Sequence, residues 1–348
     1  MYFKMPMIKL FHRYLGLLLC GVMLTISLTG VVLVWKKEYL WLSVDGADEV
    51  INTDLIASAI DAIESSYARG EVIFIQLYSE DLSLHKVFLE GRRYAWHDQH
   101  GRKIQEWSGN QRWEGFLLDL HHRFLLGNTI GLNIAGFGGL LLLPLIVIGV
   151  FIWWPRRRTL SKGLFPRSFS RGGVMRSHGN IGGVFTLPIL LIALTGVILV
   201  YPIESRVILM KSTGIDEPAS TTNGVYDVSA GLPNWEQLIK HARQEFPDSR
   251  LRSVQPNTAE SEKRTLSLQQ NGGWHRLGRT SLTFYDDGRL IVKDEFKQAL
   301  ARRVFGFSYP LHAAKLGLVY RVAITFVGLA FFLLCLLGFA SYLKRNSE

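Results

Sequence analysis

Two cysteines in 348 residues, Cys20 and Cys335, both inside long apolar runs, exclude a disulfide framework, a CxxC redox pair and a CxxCH haem-attachment motif. Any haem in this chain would be held by ligation and packing, not by thioethers. No GxGxxG follows a strand pattern and no Walker loop occurs, so no flavin or nicotinamide domain is expected and hydride cannot be taken from NAD(P)H directly. Neither an HExxH nor a catalytic triad is present. Acidic residues are scarce in three particular stretches. The first carries Lys4, Lys9 and Arg13, the second Arg156, Arg157, Arg158, Lys162, Arg167, Arg171 and Arg176, and the last Lys344 and Arg345 against Glu348. Together these hold 12 basic residues and 1 acidic one, leaving 27 of the 39 Lys and Arg to balance 28 of the 29 Asp and Glu. The net charge of +10 is therefore a topology signal and not a nucleic-acid footprint.

What the chain does have is four apolar runs, Leu15 to Trp35, Leu126 to Trp154, Ile181 to Tyr201 and Leu316 to Tyr342. Each is about 20 residues or more, enough to cross a ~30 Å hydrocarbon layer. The first is too long for a signal-peptide core and runs into Trp35-Lys36-Lys37, so it reads as a retained span. The basic stretches face the cytoplasm by the positive-inside rule, which puts both termini inside. The arginine clusters can also contact anionic membrane lipid.

A histidine stands at one end of every run: His12, His121 with His122 beside it, His178 and His312. The second half of the chain repeats the first. His12 is followed by Leu15-Gly16 and Leu28-Thr29-Gly30-Val31, and His178 by Ile181-Gly182 and Leu194-Thr195-Gly196-Val197, with the glycines 4 and 18 positions on in both. The segment after each of these spans has a similar order. Asp54 to Tyr67 reads as a helix, then Val72 to Tyr78, Ser83 to Leu89 and Arg93 to His97 as strands. In the second segment Trp235 to Phe246 is the helix, followed by Leu251 to Gln255, Arg264 to Gln269 and Ser281 to Tyr285. Glycine turns at Gly101 and Gly288 signal hairpins.

The expected fold is an α-helical membrane protein of four transmembrane helices in two parallel repeats, with two α+β extracytoplasmic domains. The boundaries expected are a tail at 1–13, span one at 14–35, a first domain at 36–120 and span two with its lead-in at 121–154. A basic loop at 155–177 leads to span three at 178–203, a second domain at 204–311, span four with its lead-in at 312–343 and a tail at 344–348.

His12-Arg13-Tyr14-Leu15-Gly16-Leu17, Leu120-His121 with Gly127, the Trp153-Trp154-Pro155-Arg156-Arg157 exit, His178-Gly179 with Leu194-Thr195-Gly196, and Pro310-Leu311-His312 carry a resemblance. Over nearly the whole chain it resembles the PepSY-associated transmembrane family, and the soluble parts look like PepSY domains. The resemblance implies a bacterial inner-membrane protein with periplasmic PepSY-like domains. It also implies two haem b groups and reduction of a ferric siderophore or another ferric chelate for iron uptake. Electrons would come from a quinol or a separate donor at the cytoplasmic face. A non-enzymatic PepSY protein binding an envelope partner or protease is a rival reading, and a siderophore transporter is another. The apolar centres of the spans count against transport.

Topology sorts the imidazoles by depth. Spans one and three start inside, so His12 and His178 share the cytoplasmic level. Spans two and four start outside, so His121 and His312 share the other. A bis-histidine haem site needs two imidazoles at one depth on facing helices. The competing reading makes each histidine an interfacial anchor, and the glycines ordinary helix-packing positions. His121 is favoured over His122 because Leu120-His121 matches Leu311-His312. Arg13, Arg123 and Arg321 are candidates to pair with haem propionates. His97 and His100 read as turn residues, and His85, His241 and His275 as solvated.

Overall fold

The computed structural model describes residues 5–78, 82–213, 221–226, 232–257, 262–273, 275, 277–298 and 300–344. Lys4, Arg345 and Glu348, counted in the charge pattern, lie outside the described residues. The elements are α1 (Met5–Val34), α2 (Lys36–Ser43), α3 (Ile56–Ser65), β1 (Val72–Gln76), β2 (His85–Leu89), β3 (Arg93–His97), β4 (Lys103–Ser108), α4 (Trp113–Arg123), α5 (Leu132–Trp153) and α6 (Arg171–Val200). They continue with α7 (Pro202–Thr213), β5 (Thr221–Val225), α8 (Trp235–Glu245), β6 (Arg250–Gln255), β7 (Lys263–Gln269), β8 (Thr280–Tyr285), β9 (Arg289–Lys293), α9 (Leu300–His312) and α10 (Leu318–Leu343). The chain divides into a helical unit (1–35, 116–203, 311–348) and a sheet unit (36–115, 204–310).

Four helical stretches are long and apolar enough to cross a membrane: Met5–Val34, Gly127–Lys162, Arg171–Val200 and Leu318–Leu343. In the helical unit α1 packs on α5, α5 on α6, α6 on α10 and α10 on α1, whereas the diagonal pairs α1/α6 and α5/α10 do not pack extensively. Neighbouring helices run antiparallel. Along α1, His12 lies against Gly149 of α5, Met23 against Gly138 of α5, and Gly30 against His121 of α4, just ahead of α5. Leu19, Met23, Leu142 and Leu145 fill the middle of this bundle. α1 begins at Met5, so part of the stretch read as an N-terminal tail is helical and His12 sits two turns inside it.

The sheet unit is one nine-stranded antiparallel sheet in the order β4-β3-β2-β1-β6-β7-β8-β9-β5. The two α+β segments read from the sequence thus share a single sheet, joined where β1 pairs with β6 through Ile75–Val254 and Gln76–Ser253. A non-local pairing of this kind leaves no mark in local periodicity. α3 and α8 pack on the sheet at this junction. They bury the matched sets Ile56, Ala59, Ile60, Ile63 and Trp235, Leu238, Ile239, Ala242. Each large apolar side chain fully buried there contributes about 1.5–3 kcal/mol. Asn234 starts α8 with a capping box to Gln237, satisfying two otherwise unpaired donors. Gly101 (φ +80°) and Gly288 (φ +87°) stand in the left-handed conformation in the β3–β4 and β8–β9 turns, as the hairpin reading requires.

Candidate functional site

The histidines at the ends of the apolar runs meet in two pairs across the diagonals of the bundle. His12 of α1 and His178 of α6 have ring centroids 6.3 Å apart at one end. His121 of α4 and His312 of α9 are also 6.3 Å apart, at the opposite end. Along α1 the two levels are separated by the stretch from His12 to Gly30, about 27 Å at 1.5 Å per residue.

Behind each imidazole stands a glycine of a neighbouring helix. Gly30 of α1 faces His121, Gly196 of α6 faces His312, Gly149 of α5 faces His12 and Gly338 of α10 faces His178. A Cβ at these glycines would stand 3.1, 2.9, 3.1 and 3.3 Å from the respective Cε1 atoms. The backbone carbonyl four residues before each glycine is the one its own N–H donates to in the helix. With no Cβ over it, that carbonyl is open to a second donor. His178 Nδ1 donates to the Leu334 carbonyl at 2.9 Å and His312 Nδ1 to the Ile192 carbonyl at 3.0 Å. The Ile26 carbonyl stands at the corresponding step behind His121, whose Nδ1 partner is Thr29. His12 Nδ1 faces the Leu145 carbonyl but falls outside hydrogen-bond geometry.

Two threonines add a second partner. Thr29 Oγ1 lies 2.9 Å from His121 Nδ1, and Thr195 Oγ1 lies 3.2 Å from His312 Nδ1. Each hydroxyl already donates to the carbonyl one turn back, Thr29 to Thr25 and Thr195 to Leu191. Its oxygen is therefore the acceptor, and the proton sits on Nδ1. For His121, His178 and His312 the neutral ring then carries its lone pair on Nε2, the form that ligates a metal, oriented by a partner on the other nitrogen.

The spacing leaves room for one metal ion between the rings of each pair. With metal–N(His) bonds of about 2.0 Å and ring nitrogens roughly 1.1 Å from their ring centres, two imidazoles holding one metal ion between them would have centroids about 6.2 Å apart. Among the described residues no three His, Cys, Asp or Glu side chains gather around a common metal position. Each pair offers two protein ligands.

The neighbouring candidates divide. His122 is exposed, its ring 5.5 Å from that of His121. Arg123 is ion-paired with Asp119 at 2.6 Å. Arg321 donates to the Val34 carbonyl at 3.0 Å and stacks 4.6 Å over Trp35, which puts a cation on the C-terminus of α1. Arg13 lies 4.9 Å over the Tyr14 ring. Of the four glycines in the repeated offsets, Gly30 and Gly196 receive imidazoles. Gly16 meets nothing within 4 Å and Gly182 lies against Leu334; its neighbour Gly183 lies against the Trp153 indole. Gly149 and Gly338 were missed, because their role depends on a histidine from another helix.

Two expectations are overturned in the sheet unit. His85 was read as solvated and His97 as a turn residue; both are fully buried and sit opposite each other in the β2–β3 register. Alternation carries the reason: His85 shares its face with Val87 and Leu89, and His97 shares its face with Ala95. Burial pushes both imidazoles down to about 4. For His85 the His97 ring adds to this and Asp98 opposes it; for His97, Lys103 adds and Asp98 and Glu106 oppose. Tyr67 Oη lies 3.3 Å from His97 Nε2, and His85 Nε2 and His97 Nδ1 have no hydrogen-bond partner among the described residues. His100, in the turn, is exposed as expected.

Four membrane-length helices and an α+β sheet unit define a multi-pass membrane protein. It belongs to the PepSY-associated TM region family, which matches residues 10–345. No curated protein matches the chain.

Proposed function

We propose that the protein is a b-type di-haem electron-transfer protein of the bacterial inner membrane that reduces a ferric siderophore or another ferric chelate at the periplasmic face. The observation that carries this reading is the pair of diagonal imidazole couples, each at 6.3 Å and backed by glycine-exposed carbonyls. His12 and His178 hold the haem at the cytoplasmic end, and His121 and His312 the one at the periplasmic end. When bound, haem supplies one-electron chemistry, and its potential is set by ligand identity, burial and nearby charge. The protein's own part is to fix the ring tautomers of His121, His178 and His312, keep the couples at two depths and exclude water with the Leu19, Met23, Leu142 and Leu145 packing between them. A ferric chelate needs one electron and no proton transfer, so no acid–base pair is required at its docking place. Reducing equivalents enter from a quinol or a separate donor on the His12/His178 side.

The orientation rests on the 12 basic residues in the three stretches assigned inside. We further read the chain as two parallel copies of one unit of span, α+β segment and span, related by an axis along the membrane normal. The His12–Gly30 and His178–Gly196 offsets support this, as does the like order of α3-β1-β2-β3-β4 and α8-β6-β7-β8-β9.

The test is ferric-chelate reduction by proteoliposomes carrying dithionite inside. Ferrous iron should appear outside only with protein present, and His12→Ala or His312→Ala should each reduce the rate at least tenfold. Equal rates in protein-free vesicles and in these variants would remove the proposal.

A further inference from the structure

A cavity of about 240 Å³ opens in the sheet unit between the start of α3, the end of α8 and strands β6 and β7. Its floor is apolar, with Ile56, Ala242 and Leu266 among the lining residues, and its wall carries Arg243, Arg252 and Tyr78. Tyr78 is buried, and its hydroxyl has no hydrogen-bond partner among the described residues. A buried phenol left unpaired loses its hydration without replacement, so a ligand that accepts from it restores the missing hydrogen bond. Burial pushes the Tyr78 phenol up to about 12, with Arg243 and Arg252 opposing and Asp54 adding, so it stays a donor at neutral pH.

The same place in the other half of the unit is filled by a fully buried tryptophan, Trp235. Residues of α3 and α8 correspond in order, and the spacing that relates them also relates Ile75 to its own pairing partner Val254. By that correspondence Ile56 stands where the other half has Trp235, Ala242 where it has Ile63, and Arg243 where it has Glu64. Trp235 is fully buried there, its indole N–H donating to Glu64 and Arg264 stacked 4.8 Å over it. In the open half the large fillers are replaced by smaller residues and the acid by a base. The two departures fall in one place: the smaller residues leave room for an occupant, and the base favours a negatively charged one.

We propose that this cavity binds a small organic carboxylate with an apolar body. Arg243 and Arg252 lie on the carboxylate side, Tyr78 donates to the anion, and the aliphatic floor takes the body. The volume equals about eight waters, below the roughly 300–1,000 Å³ of a drug-sized pocket. The site stands independently of the redox reading. Arg252 already donates to Gln269 Oε1 at 2.7 Å, which holds its guanidinium in place beside the opening.

The test is equilibrium dialysis of the full-length protein in detergent against labelled benzoate and hexanoate, with empty micelles subtracted and neutral benzamide as control. One saturable site per chain is expected for the carboxylates and none for benzamide. Arg243→Gln should weaken benzoate at least tenfold, Tyr78→Phe several-fold, and Ala242→Ile, which copies Ile63 of the other half, should abolish binding with all charges kept. Thermal melts establish that each variant is folded, and if Ala242→Ile is not, Arg243→Gln decides alone. Absence of saturable carboxylate binding, equal binding of benzamide, or undiminished binding to folded Arg243→Gln would overturn the proposal.

Discussion

The buried pair His85 and His97 makes the stability of β2 and β3 depend on pH, with a size that follows from their burial. Both rings resist protonation until about pH 4 in the folded chain, against about 6.5 when exposed. The unfolded state therefore binds protons that the native state refuses, so stability is full above pH 6.5 and falls as pH drops toward 4. One ring shifted by about 2.5 units at about 1.36 kcal/mol per unit gives roughly 3 kcal/mol. The two rings repel when charged and titrate as a pair, so the joint loss lies between roughly 3 and 6 kcal/mol. Hydrogen exchange of peptides covering 85–97 in the full-length protein, corrected for intrinsic rates, reads the opening free energy at pH 7.5, 6.5, 5.5 and 4.5. A steady fall below pH 6.5 is expected, with a slope up to about 2.7 kcal/mol per unit. His97→Phe, which places in β3 the residue found at the matching position of β8, Phe284, should roughly halve that slope. A flat profile in the native chain, or an unchanged slope in a His85→Leu/His97→Phe variant, would refute the reasoning.

Three further outcomes follow from the helical unit. Gly196→Ala puts a Cβ 2.9 Å from His312 Cε1, whereas Gly338→Ala puts one 3.3 Å from His178. The first should displace its imidazole from the Ile192 carbonyl and lower haem content from two toward one per chain, and the second should keep both, as pyridine-haemochrome assay would show. Asn180 is fully buried, accepts from Thr159 Oγ1 and Trp153 Nε1, and donates to the Thr159 and Gly163 carbonyls. Asn180→Leu leaves those groups unpaired and should destabilise the helical unit by about 2–4 kcal/mol, read as a lower midpoint in chemical denaturation. Arg321→Gln removes the cation at the C-terminus of α1 and its stacking on Trp35, and should lower stability by about 1 kcal/mol while leaving haem content unchanged. Loss of haem in that variant would instead make Arg321 part of the cofactor site.

Most of the helical unit was legible because its signals are local. Four charge-poor runs fix the spans, and the alternation of span direction pairs His12 with His178 and His121 with His312 by depth. The devices behind the rings were not legible. The Leu145–Gly149 and Leu334–Gly338 steps are ordinary apolar sequence until a histidine from another helix lies over them. In the sheet unit most strands flanking the helices could be read from alternation, but β4 shows little of it, with only Trp107 buried along its length. β5 joins the sheet by pairing with β9 across a long stretch of chain, which periodicity does not report. The joining of both α+β segments through β1 and β6 is a long-range choice of the same kind. His85 and His97 were misread for a different reason: polarity and a nearby turn outweighed an in-register position beside Val87 and Ala95.

The central claim is that two couples of imidazoles each hold one haem. Visible spectra of the detergent-purified protein, oxidised and dithionite-reduced, with haem counted per chain, test it directly. The account predicts two b haems with sharp reduced α-bands, reduced to one by His12→Ala or His178→Ala and, separately, to one by His121→Ala or His312→Ala, with His122→Ala keeping both. A colourless protein from haem-replete cells, or haem content indifferent to all four substitutions, would contradict it.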